Sequence, residues 1–165
     1  MAHEIQGIVI ADADRKIPLP GLVRCEIDLG YVFVPVPWEG SHPLCCPRAH
    51  HKNPAFPEFG RLTAKGLEFL ETLSCDVPLT YIETGYFGGQ GDQAALVLNK
   101  GVLRYGPRRG GKGVINEALR RIGVLVPEGS QEFDAIGLWR HRTTFAWLKC
   151  GLLDGQDDTE TGGQS

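Results

Sequence analysis

LTYIETGYFGGQGDQAALVLNKG, residues 79–101, is the stretch whose reading decides the fold. Its two arms, residues 80–87 and 93–98, are apolar at positions of both parities. A strand of that kind is expected to be covered on both faces, because successive side chains point to opposite sides of a sheet. Between the arms lies a glycine-rich turn with Gly88, Gly89 and Gly91, flanked by the carboxylates of Glu83 and Asp92. Asn99-Lys100-Gly101 is a second turn signal, so residues 102–105 return as a third strand. Three ribbons joined by short turns make an antiparallel meander, not a parallel sheet.

Outward from the meander, helices alternate with further strands. Residues 62–73 carry Leu67, Phe69, Leu70 and Leu73 on one stripe, with Thr63 as N-cap, Leu62 and Leu67 as a hydrophobic staple, and Pro78 as a stop. Residues 114–122 place Ile115, Ala118, Leu119 and Ile122 at helical spacing before Gly123. Residues 143–150 form a short helix with a Thr cap, expected to bury Phe145, Trp147 and Leu148. Residues 133–138 fit either a strand or a loop. Towards the N-terminus, residues 5–11 form an apolar strand. Residues 22–29 alternate, with Val23, Cys25, Ile27 and Leu29 on one face and Arg24, Glu26 and Asp28 on the other. Residues 31–36 stay extended, but Pro35 and Pro37 push them towards a sheet edge. The expected fold is therefore α+β: a mainly antiparallel sheet of five or six strands with helices at 62–75, 114–122 and 143–150 packed on it.

Composition narrows the class. The chain has 165 residues, 42% hydrophobic and 22% charged, as in an ordinary globular domain. Its last twelve residues, DGQDDTETGGQS, have nothing to bury, so residues 1–153 are expected to form one domain and 154–165 a disordered acidic tail. Setting aside the tail's Asp154, Asp157, Asp158 and Glu160 moves the formal charge from −3 to +1. A nearly neutral body gives no electrostatic case for nucleic acid. No run is long enough to span a membrane and no signal-peptide pattern opens the chain, which points to the cytoplasm. The five cysteines are expected to be free thiols.

Four stretches carry chemistry that could make a site. Glu83 and Asp92, beside glycines that let a partner approach the backbone, suit a cation or a basic or amide-bearing partner; a plain tight turn is the ordinary alternative. GPRRGGKG, residues 106–113, sits between a strand and a helix and nearly matches a phosphate-cradling loop, with Arg108, Arg109 and Lys112 supplying charge. Gly113 stands where a magnesium-binding hydroxyl belongs, and the preceding strand is in a meander, so nucleotide hydrolysis is disfavoured against anion binding or a solvated basic loop. Third, His42, Cys45, Cys46, His50 and His51 are zinc-compatible ligands in a segment holding six of the eleven prolines, residues 35–57. Adjacent Cys45-Cys46 and His50-His51 are poor ligand spacings, and a loop with incidental His and Cys is the simpler reading; no other cofactor is suggested. Trp139, Arg140 and Arg142 form an aromatic–basic cluster that could stack on a base or meet an acidic protein surface; Trp139 in the core, with the arginines paired to acids or facing solvent, is the more usual arrangement. No Ser lies in a nucleophile elbow, and Cys25 faces the expected core.

Taken in order, TYIETGYFGGQGDQAALVLNKG, INEALRRIGV and EFDAIGLWRHRTTFAW resemble a group of small uncharacterised bacterial proteins, similar in style to immunity proteins of polymorphic toxins. The resemblance covers roughly residues 62–147. It implies a non-enzymatic protein that occludes a toxin's active surface. On this reading the partner is a protein, met by Glu83, Gly88, Gly89, Gly91, Asp92, Trp139, Arg140 and Arg142.

Overall fold

A computed structural model describes residues 3–11, 17–37, 40–45, 56–87 and 90–154. The fold is α+β. Strands β1 (Gln6–Ile10), β2 (Cys25–Glu26), β3 (Val32–Pro35), β4 (Leu79–Phe87), β5 (Gln90–Asn99) and β6 (Val102–Gly110) form one sheet in the order β2-β3-β1-β4-β5-β6. Every ladder in it is antiparallel. The helices are α1 (Ala64–Ser74), α2 (Val114–Arg121), the single turn α3 (Glu132–Ala135) and α4 (Thr144–Asp154).

The hairpin of β4 and β5 supplies two of the sheet's middle strands, with Leu79 opposite Leu98, Tyr81 opposite Leu96 and Ile82 opposite Ala95. Its apolar residues of the two parities go to two separate cores. Leu79, Tyr81, Ala94, Leu96 and Leu98 join Ile8, Ile10, Val32 and Val34 under α1, which contributes Leu70 and Leu73. Ile82, Ala95 and Val97 join Val9 and Phe33 against Ile115, Ala118 and Leu119 of α2 and Trp147 of α4. The sheet is thus sandwiched, as strands apolar on both parities demand. Burying residues of this size contributes about 1.5–3 kcal/mol each.

Local chemistry sets the ends of the elements. Thr63 Oγ1 accepts the Gly66 amide at 3.0 Å and caps α1. Thr143 Oγ1 accepts the Ala146 amide at 3.1 Å at the start of α4. The β5–β6 turn places Lys100 and Gly101 at φ 53° and 74°, the type I′ pattern that matches strand twist. It is pinned to α1 by the Lys100 and Gly101 amides, which donate to the carbonyl and hydroxyl of Ser74 at 2.8 and 2.9 Å.

Several elements differ from the sequence expectation. Of residues 22–29 only Cys25 and Glu26 pair; the chain then turns at Asp28–Gly30, and Leu29, expected inside, lies in left-handed backbone (φ 61°) and is 60% exposed. Strand β3 is not at the edge, yet only the two-residue β2 lies outside it. Strand β6 does not stop at Tyr105. A bulge between its pairings with Val97 and Ala95 absorbs Gly106 and Pro107, and the strand continues to Gly110. Residues 133–138 are neither strand nor loop but span α3 and the approach to a 3-10 turn at Leu138–Arg140. Phe145 is exposed, because Trp147 takes the buried place on α4, edge-on to Phe33 at 5.0 Å between ring centres. Helix α4 runs through Asp154, the first residue assigned to the tail; the remaining tail lies outside the described residues. Among the described residues no helix is long and apolar enough to cross a membrane.

Close packing at the sheet centre makes a direct test. A Cβ on Gly7 of β1 would stand 2.4 Å from the Phe33 ring and 2.6 Å from the Val34 carbonyl oxygen, whereas one on Gly85 of β4 meets nothing within 4 Å. Gly7→Ala is expected to cost about 1–3 kcal/mol in denaturant unfolding, and Gly85→Ala to stay within about 0.5 kcal/mol of wild type. Equal effects would contradict this packing.

Candidate functional site

Beyond Ile82 on β4 and Ala94 on β5 the apolar alternation stops, and both faces of the hairpin turn polar. Parity then sorts the polar groups. Glu83 and Asp92 lie on the α1 side, where Glu83 is opposite Ala94 and Asp92 opposite Gly85. Thr84, Tyr86 and Gln93 lie on the α2 side, joined by His3, whose backbone pairs with Tyr86.

On the α1 side most of the groups are engaged with one another, while Gln6 Oε1 and Glu58 Oε2 are buried without a hydrogen bond. The amide of Gln6 donates to the Tyr81 hydroxyl at 2.7 Å, and that hydroxyl donates to Glu83 at 2.9 Å. Glu83 also accepts the backbone amides of Gly60 and Arg61 at 3.0 and 3.4 Å, tying the loop before α1 to the sheet. Asp92 takes Arg109 through two hydrogen bonds of 2.5 and 3.1 Å. Gly60, Glu83, Asp92 and Arg109 surround a cavity of about 240 Å³ together with Glu4, Glu58 and Arg61. The structure thus brings Glu83 and Asp92 together, as wall groups already engaged. Gly91, at φ 149°, backs onto the Gly85 carbonyl with no room for a side chain, while Gly88 and Gly89 lie outside the described residues.

On the α2 side the account is incomplete. A cavity of about 390 Å³ opens between the hairpin end, α2 and α3. α3 is held there by the Arg120–Glu132 ion pair (2.7 Å) and by the Phe133 amide, which donates to Asn116 Oδ1 at 2.9 Å. Gln93 Oε1 accepts the Ile115 amide at 3.1 Å. Thr84 Oγ1 accepts the Ile5 amide and lies 2.9 Å from His3 Nδ1. Two wall groups have no partner: His3 Nε2 and the Tyr86 hydroxyl are shut off from solvent without a hydrogen bond. Burial, reinforced by the positive charge of Arg142, holds the His3 imidazole below its ordinary pKa and therefore neutral at pH 7. Burial raises the Tyr86 phenol, with the Gln93 side chain acting against that rise and the Asp92 charge adding to it. Sequence reading missed His3, Thr84, Tyr86, Gln93, Asn116 and Asp134. Only the parity of Thr84, Tyr86 and Gln93, opposite to that of Glu83 and Asp92, signalled a second polar cluster.

Trp139 is not in the core. It is 60% exposed, with its indole N–H donating to the Asp134 carbonyl at 3.2 Å. Arg140 is clamped by both oxygens of Asp28 at 2.5 and 2.6 Å, next to the exposed Leu29. The carbonyl of Arg142 accepts the Glu4 amide at 2.7 Å.

The basic stretch at 106–113 divides between strand and loop, and its Arg108, Gly111, Lys112 and Gly113 line a cavity of about 420 Å³ with Tyr105, Glu117 and Arg121. Because residues 106–110 continue β6, Arg108 stacks 5.6 Å from the Tyr105 ring centre, whereas Arg109 joins Asp92 on the opposite face of the sheet. Lys112 lines the α2-side cavity. Among the zinc candidates, His42 packs edge-on to Phe69 at 4.6 Å and its Nδ1 accepts the Leu44 amide at 3.1 Å. Burial raises the Cys45 thiol above its ordinary pKa, countered by a hydrogen bond to the His42 backbone. Cys46, His50 and His51 lie outside the described residues, among which no three His, Cys, Asp or Glu side chains are grouped to hold a metal. No protein-family model matches the chain, and neither a curated protein nor a solved structure matches it significantly.

Burial lifts the Glu83 carboxyl above its ordinary pKa, against the pull of Tyr81, the Gly60 and Arg61 amides and the Arg61 charge. The folded chain therefore takes up this proton at a higher pH than the unfolded chain does. Glu83's contribution is greatest below the unfolded value and declines as pH rises through the folded one. Between neutrality and pH 4.5, the ordinary value, acidification should shift the unfolding midpoint of wild type upward relative to Glu83→Gln. A difference that stays flat or moves the other way contradicts this reading.

Proposed function

We propose that the protein acts by binding a protein partner, in the manner of an immunity protein, through the surface formed by Leu29, Trp139 and Arg140. The observation that carries this reading is the exposed Trp139 fixed in place beside a clamped Arg140. Trp and Arg dominate binding hot spots, and side chains already held in one rotamer lose little entropy on association. Leu29 adds an apolar side chain presented from left-handed backbone, a conformation costing on the order of 1 kcal/mol that persists where a site requires it. Phe87, 80% exposed at the hairpin end, is a second exposed aromatic. Glu83 and Asp92 serve the partner indirectly, by fixing the hairpin, since their oxygens are taken up by Tyr81, backbone amides and Arg109.

Affinity capture from the native host with immobilised wild type, Trp139→Ala and Arg140→Ala tests the reading. A protein retained by wild type should be lost by both variants while their unfolding midpoints stay near that of wild type. With that partner in hand, Trp139→Ala should weaken binding by about 2 kcal/mol, roughly thirtyfold in Kd. Undiminished retention by Trp139→Ala would refute the surface assigned here.

A further inference from the structure

We infer that the cavity between the β4–β5 hairpin end, α2 and α3 is a binding site for a small organic carboxylate that carries a hydrogen-bond donor close to its acid group. This goes beyond the protein-binding surface, which uses different side chains. Two carboxamides, Gln93 and Asn116, stand in the wall. Gln93 and Asn116 each spend the side-chain oxygen on a backbone N–H, that of Ile115 and that of Phe133. A backbone N–H can meet only an acceptor, so these bonds settle which end of each amide is oxygen. The NH2 group of Asn116 is then the end left for a ligand, that of Gln93 stands next to the Tyr86 hydroxyl, and both residues line the cavity.

The remaining groups extend the same chemistry. Lys112 brings a positive charge to the wall, and the Tyr86 hydroxyl has a proton without a taker. The Thr84 hydroxyl donates to the His3 carbonyl oxygen at 3.4 Å and lies 2.9 Å from His3 Nδ1, so the wall around Thr84 is already bonded within itself. With Lys112, Tyr86 and Asn116 the wall is rich in donors, which selects an acceptor-rich anion. Among the described residues Asp134 is the one carboxylate in the lining, and it opposes a multiply charged phosphate while suiting an ammonium or hydroxyl beside a single carboxylate. At about 390 Å³ the space is at the metabolite-sized end of ligand pockets. Leaving buried donors unpaired is costly, and a carboxylate reached by small side-chain adjustment would pair them.

The same carboxylate chemistry could come from a free metabolite or from the end of a polypeptide, and the test separates the two. The full chain is titrated with sodium acetate, glycine, N-acetylglycine, uncharged N-acetylglycinamide and sodium chloride while the side-chain amide resonances of Gln93 and Asn116 are followed by NMR. The three carboxylates should move these resonances saturably, and N-acetylglycinamide and chloride should not. Glycine binding more tightly than N-acetylglycine, with that advantage lost in Asp134→Asn, identifies a free amino acid type of ligand. Equal binding of the two identifies a chain terminus. Lys112→Ala should weaken carboxylate binding about threefold to tenfold. Tyr86→Phe should weaken it as well without lowering the unfolding midpoint, because it removes a hydroxyl that has no partner in the free protein. No saturable movement with any carboxylate, or equal movement with chloride or N-acetylglycinamide, overturns the proposal.

Discussion

The structure depends on burying both faces of its central strands. A sheet with one wet face can alternate apolar and polar residues. Here β1, β3, β4 and β5 must be apolar at positions of both parities wherever they are covered, because α1 and its loops lie on one face and α2 and α4 on the other. That demand explains why Ile8 and Val9, neighbours in sequence, enter different cores. It also explains why Gly7, against which the Phe33 ring lies, has no room for a side chain.

The same demand locates the functional region. The hairpin is longer than the cores that cover it, so past Ile82 and Ala94 its two faces end in polar groups that need partners. On the α1 side a chain runs from Gln6 through Tyr81 to Glu83, beside the Asp92–Arg109 pair, with Gln6 Oε1 and Glu58 Oε2 left over. On the α2 side the helices bring two carboxamides with their oxygens already used, and they leave His3 Nε2 and the Tyr86 hydroxyl without partners. One side of the hairpin braces the loop before α1 against the sheet, and the other faces a cavity between the hairpin and the helices. Trp139 joins the second side through Asp134, whose carbonyl holds the indole while its residue lines the cavity.

Much of the fold was legible because burial imposes a period. The two-sided hydrophobicity of the hairpin, the helical stripes ending near Pro78 and at Gly123, and the Thr63 and Thr143 caps are all local signals, and each appears where the sequence placed it. What was illegible depends on distant partners or on backbone detail. Gly106-Pro107 reads as a break, yet a bulge carries β6 through it. Leu29 alternates correctly with Ile27, but a left-handed turn sends it outward. Glu83 was legible as a notable carboxylate; its brace role was not, since Gly60 and Arg61 reach it from another loop. The cavity could not be read at all, because His3 and Thr84 meet across 81 positions of sequence and Asn116 arrives on a separate helix.

Native-state hydrogen exchange resolved by residue tests the central claim, that the hairpin is clamped by two cores at one end and released into polar chemistry at the other. Amides at residues 80–82 and 95–98 should exchange only through global unfolding, with protection declining towards Tyr86 and Gly91. Uniform protection along both strands, or fast exchange at Ile82 and Ala95, would contradict it.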